Sequence, residues 1–137
     1  MPVYLPRSLA DDLIAHAREG RPEEVCGVIG LDLERVVRLE RARNVAENRQ
    51  VRFQIDSRDL AKVIQIDRDG LEVGFYHSHP ASRAYPSQTD IHFARLWPGT
   101  LQLMVSLRYD PVPGPELHAY RIENDVVTAE ELQVVEG

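Results

Sequence analysis

Gly74-Phe75-Tyr76-His77-Ser78-His79-Pro80 is the stretch that decides how this chain is read. Residues 71–77 predict a central strand, and Pro80, which has no N–H to give to a ladder, predicts its end. Residues two apart on a strand project from the same face. His77 and His79 therefore stand side by side if the strand persists to Pro80. At this point two readings remain open: a pair of half-exposed strand histidines, or two imidazoles close enough to share a cation.

Working outward toward the C-terminus, residues 81–86 read as loop and residues 87–97 as a helix stopped by Pro98-Gly99. A strand over 101–109 follows, then the turn-rich Asp110-Pro111-Val112-Pro113-Gly114-Pro115. Strands over 117–122 and 126–135 flank a turn at Glu123-Asn124-Asp125. Toward the N-terminus, Ser8 is the expected cap of an amphipathic helix marked by Leu9, Leu13, Ile14 and Ala17 and ended by Gly20. Residues 25–30 are apolar and β-branched, which predicts a buried strand. Residues 35–39 form another strand after a turn near Asp32, and 42–50 is polar loop. Residues 51–55 alternate in polarity as a half-buried strand does. A helix begins at Asp56 or Ser57, runs to Asp69 and is closed by Gly70. Together these predict a mixed α/β domain, a central sheet with helices packed around it.

Length and composition narrow the function classes. The 137 residues predict a single domain over 1–137, large enough to stand without disulfide staples. Hydrophobic residues at 43% and charged residues at 28% match an ordinary globular chain. A net charge of −6, with Lys62 the only lysine, argues against a nucleic-acid partner, whose phosphates need clustered cations. Cys26 is the single cysteine, so an internal disulfide is excluded. The first ten residues lack a basic segment followed by an apolar one, and no apolar run nears the roughly 20 residues that span a bilayer. The expectation is a cytoplasmic protein without a membrane partner; a homodimer is left open.

Asp90 adds a carboxylate to the histidines. Two His and one carboxylate form a common catalytic zinc set with a fourth position for water. The same residue also completes Ser87-Gln88-Thr89-Asp90, a helix-capping box, so position alone leaves the two uses open. Glu24, in Pro22-Glu23-Glu24-Val25-Cys26-Gly27, could take a proton from an acidified water. Single-sequence reasoning does not select it from 22 acidic residues.

The pattern Glu24 … His77-Ser78-His79-Pro80 … Ser87-Gln88-Thr89-Asp90, with ten residues between His79 and Asp90, resembles the JAMM signature of the MPN-plus zinc metalloproteases. That signature reads Glu … His-x-His … Ser-x-x-Asp, and no motif position departs from it. The resemblance implies a fold like that of the cytidine deaminases, a curved central mixed sheet with flanking helices. It implies one Zn2+ per chain held by His77, His79 and Asp90, with Glu24 as general base and then acid. Ser87 would stabilise the oxyanion of a tetrahedral intermediate. Tyr76-His77-Ser78-His79, Ala84-Tyr85-Pro86-Ser87, Tyr120-Arg121-Ile122 and Val126-Val127-Thr128 are most similar to small stand-alone bacterial members of the Mec type. These imply hydrolysis after the C-terminal Gly-Gly of a ubiquitin-like sulfur-carrier protein, releasing cysteine or a short extension, in cysteine biosynthesis or a siderophore route. The alternative is a non-catalytic metal-containing module that binds a ubiquitin-like tail.

Other metal families fit less well. Non-haem iron sites usually present His-x-Asp or His-x-Glu with a distant second His. Cupins follow His-x-His with a Glu in the region where Arg83 and Ala84 stand. A cytidine deaminase needs Pro-Cys-x-x-Cys, which one cysteine excludes. Cys26, at the start of an apolar strand, reads as a buried thiol rather than a nucleophile. His16, His92 and His118 read as ordinary residues, and Tyr85 either lines a substrate groove or packs on the core.

Overall fold

A computed structural model describes residues 2–137. Strand β1 (Val3–Pro6) leads directly into helix α1 (Arg7–Gly20), followed by β2 (Cys26–Asp32) and β3 (Arg35–Ala42). After a long connection and a 3-10 turn (Ser57–Asp59) come α2 (Leu60–Arg68), β4 (Glu72–His79), α3 (Gln88–Ala94) and β5 (Leu101–Ser106). The chain finishes with β6 (Glu116–Glu123), β7 (Val126–Glu130) and β8 (Leu132–Val135). All eight strands form one mixed sheet in the order β7-β6-β5-β4-β2-β3-β1-β8. No helix among the described residues is long and apolar enough to cross a membrane.

β4 lies at the centre, antiparallel to β2 and parallel to β5. Its register sets His77 opposite Cys26 on one side and Met104 on the other. Helix α1 presents Ala10, Leu13 and Ala17, spaced three and four apart, to one face of the sheet. They pack with Leu5, Ile29, Leu31, Tyr76, Leu103 and Val105. The opposite face packs Val28 and Phe75 against Val63 and Ile66 of α2 and against Phe93 and Trp97. Each large side chain buried in these two layers contributes roughly 1.5–3 kcal/mol. Because both faces are covered, β2 and β4 run apolar on both sides. Gly27 of β2 has Tyr76 of β4 as its register partner, and a Cβ there would run into the Tyr76 ring and the Glu40 carbonyl.

Several boundaries differ from those expected of the sequence. Helix α1 starts at Arg7 with Pro6, not Ser8, as its cap, and no side chain bonds to it. The Ser8 N–H instead donates to the Gly137 carbonyl at 3.1 Å, an acceptor that only the returning chain can bring. β1 was not foreseen: its pairing with β8 joins residues at opposite ends of the chain, for which no local pattern exists. Residues 51–55 form no strand; a single bridge joins Asn44 to Ile55, and the alternation serves to turn Phe53 inward. The expected strand over 126–135 breaks at Glu131, because β7 pairs with β6 whereas β8 turns to β1. Helix α3 stops at Ala94, and residues 95–97 continue as a turn.

Candidate metal centre

Alternation along β4 sends Tyr76 into the α1 layer and Phe75 into the α2–α3 layer. His77 and His79 follow Phe75. They stand at the C-terminal end of the strand, where β4 gives way to the loop toward α3. His77 Nε2 lies 3.2 Å from His79 Nε2, and Asp90 Oδ2 lies 3.1 Å from the first and 3.0 Å from the second. A carboxylate oxygen of Glu24 joins them, so that one donor atom from each of the four residues lies within 4.8 Å of the others. All four side chains are buried, His77 at 1% exposure and Glu24 at 6%.

The hydrogen bonds fix what the histidines offer. His79 Nδ1 sits 2.8 Å from the Arg83 carbonyl, which can only accept, so Nδ1 carries the hydrogen. In the neutral ring Nε2 then presents its lone pair to Asp90 Oδ2, an acceptor facing an acceptor. A carbonyl holding the far nitrogen is also the arrangement that orients metal-bound histidines. Two imidazole nitrogens and a carboxylate oxygen around one point, with a second carboxylate behind, fit a divalent cation of the zinc type.

When protonated, the same imidazoles donate to Asp90 instead of opposing it, and the charges of the cluster follow. Burial raises the Asp90 carboxyl pKa, but the facing His77, hydrogen bonds from both imidazoles and the Ser87 N–H outweigh burial and hold it well below the usual range. Burial lowers the His79 pKa, yet Asp90 and the Arg83 carbonyl reverse that and leave it raised. Glu24 is pushed up to about 7, chiefly by burial, with His77 and His79 opposing and Asp90 reinforcing. Among the described residues, Glu24 Oε1 and His77 Nδ1 are buried without a hydrogen-bond partner. Natural interiors rarely leave such atoms unmet without a chemical reason.

The capping use that the sequence offered for Ser87 and Asp90 is present, and it leaves Asp90 facing the histidines. The Ser87 hydroxyl oxygen accepts the Asp90 N–H at 3.2 Å and the Ser87 N–H donates to Asp90 Oδ2 at 2.9 Å, a complete capping box. The same Oδ2 faces both imidazoles. Ser87 Oγ is thus an acceptor toward the helix and keeps its O–H to donate.

Residues beyond the motif also shape the site. Phe53 stacks on His77, ring centroids 4.5 Å apart and 25° between planes, and the Arg83 carbonyl orients His79. Neither could be read beforehand: only tertiary structure brings Phe53 to β4, and Arg83, four residues beyond His79, acts through a main-chain carbonyl that leaves no mark in the residue pattern. Phe53 also lines an open groove with Ile55, Leu60, Phe93, Leu96 and Trp97, between the 46–55 segment and α3. The remaining candidates fall outside the centre. Cys26 is buried, and burial first, then Asp59 and Glu24, push its thiol up to about 12, far from a nucleophile. His16 bonds Tyr76, His118 is exposed, and Tyr85 lies edge-on to Tyr120 beneath the Arg83 guanidinium.

Residues 6–123 match the family model of prokaryotic homologues of the JAB domain. The chain belongs to this JAB/MPN family, the one its four-part motif resembles. It is 39% identical over 135 residues to the CysO-cysteine peptidase of Mycobacterium tuberculosis, covering 93% of this chain and 88% of that one. It is 38% identical over 104 residues to a desampylase of Haloferax volcanii, covering 70% and 74%. The solution structure of a Desulfitobacterium hafniense protein superposes with a TM-score of 0.84 at 31% identity, covering 100% of this chain and 94% of the other.

Proposed function

We propose that this protein is a zinc-dependent peptidase that hydrolyses the amide bond after the C-terminal Gly-Gly of a ubiquitin-like sulfur-carrier protein, releasing cysteine or a short extension. The observation that carries the reading is the convergence of His77, His79 and Asp90 beside a buried Glu24 with an unpartnered oxygen. The names of the relatives, a CysO-cysteine peptidase and a desampylase, support the substrate class.

His77, His79 and Asp90 would hold the ion, one per chain, and zinc when bound supplies Lewis acidity toward water and the amide carbonyl. Glu24, raised to about 7, takes the proton of the water that attacks the carrier's last glycine carbonyl. It then delivers that proton to the departing amine nitrogen, leaving a carrier carboxylate and a free amine. Ser87 donates its O–H to the oxyanion of the tetrahedral intermediate. The open groove lined by Phe53 and Phe93 begins at the ring that stacks on His77 and offers an extended tail a largely apolar surface.

The test is to incubate the zinc-loaded protein with a carrier bearing a C-terminal cysteine and to weigh the product. Loss of one cysteine mass, abolished in Glu24→Gln, is the expected result. Stoichiometric binding without cleavage would make the protein a tail-binding module instead, and stoichiometric iron with redox activity would sink the hydrolase reading.

A further inference from the structure

Glu24 is aimed by its main chain. It lies in the coil between α1 and β2, and its Oε1 has no hydrogen-bond partner among the described residues. The backbone around it is clamped from two sides. Toward β4, the Val25 N–H donates to Ser78 Oγ at 2.8 Å and the Ser78 N–H donates to the Val25 carbonyl at 3.0 Å. Ser78 stands between the two histidines, so this clamp ties the Glu24 segment to the strand that carries them.

The other clamp comes from the 43–56 connection. The Glu24 N–H donates to the Arg49 carbonyl at 2.6 Å, and the Glu24 carbonyl accepts from Asn44 Nδ2 at 2.8 Å. Asn44 Nδ2 also donates to the Arg52 carbonyl at 3.0 Å. Its Oδ1 accepts from the N–H groups of Ala46 and Gln54, each at 3.0 Å. Every donor and acceptor of this one amide is used. The loop it gathers is the one that stacks Phe53 on His77.

We infer that Asn44 is a positioning residue for Glu24, its amide setting where the carboxylate stands relative to the two histidines. The inference rests on Glu24 being the acid/base group. Asn44 touches none of the four clustered side chains' donor atoms and acts through the Glu24 main chain alone. Because a misplacement of about 1 Å can cost about a hundredfold in rate, a small drift of this peptide is enough to matter.

Two substitutions separate aiming from mere loop stability. Asn44→Asp keeps the acceptor that serves Ala46 and Gln54 but sets a carboxylate oxygen against the Glu24 and Arg52 carbonyls. Asn44→Ala removes both halves. The expected result is a fall in kcat of about tenfold or more in either variant, with KM within about threefold. Zinc affinity, read by chelator competition, should stay within about threefold of the parent, because the amide touches no ligand. The melting temperature should fall further in Asn44→Ala than in Asn44→Asp. Combined with Glu24→Gln, Asn44→Asp should cost no further turnover, since residues that act as a unit are not additive. Additive losses, or a kcat that tracks melting temperature across the two variants, would overturn the inference. Full turnover by Glu24→Gln alone would instead sink the functional reading on which it rests.

Discussion

Two imidazole sites, one half-buried and one buried, lie on opposite faces of β4, and they differ in how their lone pairs are met. On the α1 face, His16 Nδ1 sits 2.6 Å from the Tyr76 hydroxyl, rings edge to face. Burial first, then Arg41, drop the His16 pKa to about 4 against a smaller opposing pull from Glu19, so the ring is neutral near pH 7. Its Nδ1 accepts the tyrosine O–H, one donor for one acceptor. On the other face, His77, His79 and Asp90 bring three acceptor-capable atoms together. The first arrangement pairs a donor with an acceptor; the second would do so if the proposed cation took its centre.

The largest expected break in that contrast is His79→Ala, which should reduce bound zinc from about one per chain to none by elemental analysis. Zinc retained at parent stoichiometry would show that the acceptor cluster is not the binding centre. Glu24→Gln should keep the zinc yet lower turnover at least about a hundredfold.

The same Glu24→Gln variant sharpens the comparison through stability. The folded Glu24 pKa of about 7 exceeds its ordinary 4.5, so its contribution is present below pH 4.5 and lost as pH rises through 7. At about 1.4 kcal/mol per unit, the charged carboxylate costs the metal-free protein up to about 3 kcal/mol at pH 8. In chelator, Glu24→Gln should therefore melt above the parent at pH 8, with the gap closing toward pH 5. A gap of constant size would mean that burial does not raise this carboxylate. Smallest of all, Tyr76→Phe should cost about 1 kcal/mol for its lost hydrogen bond, read by denaturant melts, while zinc stays at about one per chain. Loss of zinc in that variant would show the two faces to be coupled.

Much of this organisation is legible from local pattern. The apolar run before His77 and the glycine stops of α1 and α2 mark their elements because strand burial and helix ends leave short-range signatures. His77 and His79 needed only the two-residue period of a strand to be placed side by side. What escaped the sequence depends on distant partners. β1 is four residues long and meets β8 from the far end of the chain. Residues 51–55 carry a strand's alternation but have the Arg52 carbonyl and the Gln54 N–H met by the Asn44 side chain instead of a neighbouring strand. Phe53 reaches His77 only once the sheet has formed, the Arg83 contact is made by a carbonyl that any residue carries, and Glu24 stood out from its acidic neighbours only through the family motif.

Asp90 Oδ2 takes the Ser87 N–H that opens α3 and also faces both imidazoles. If the proposed ion is held there, that shared oxygen would make helix order and ion occupancy a reciprocal pair: whatever steadied one would steady the other by the same free energy. Amide exchange in the first turn of α3 would accordingly serve as a gauge of how full the centre is. It also narrows what evolution can vary at position 90, since a lengthened side chain that kept the charge would still have to rebuild the start of a helix.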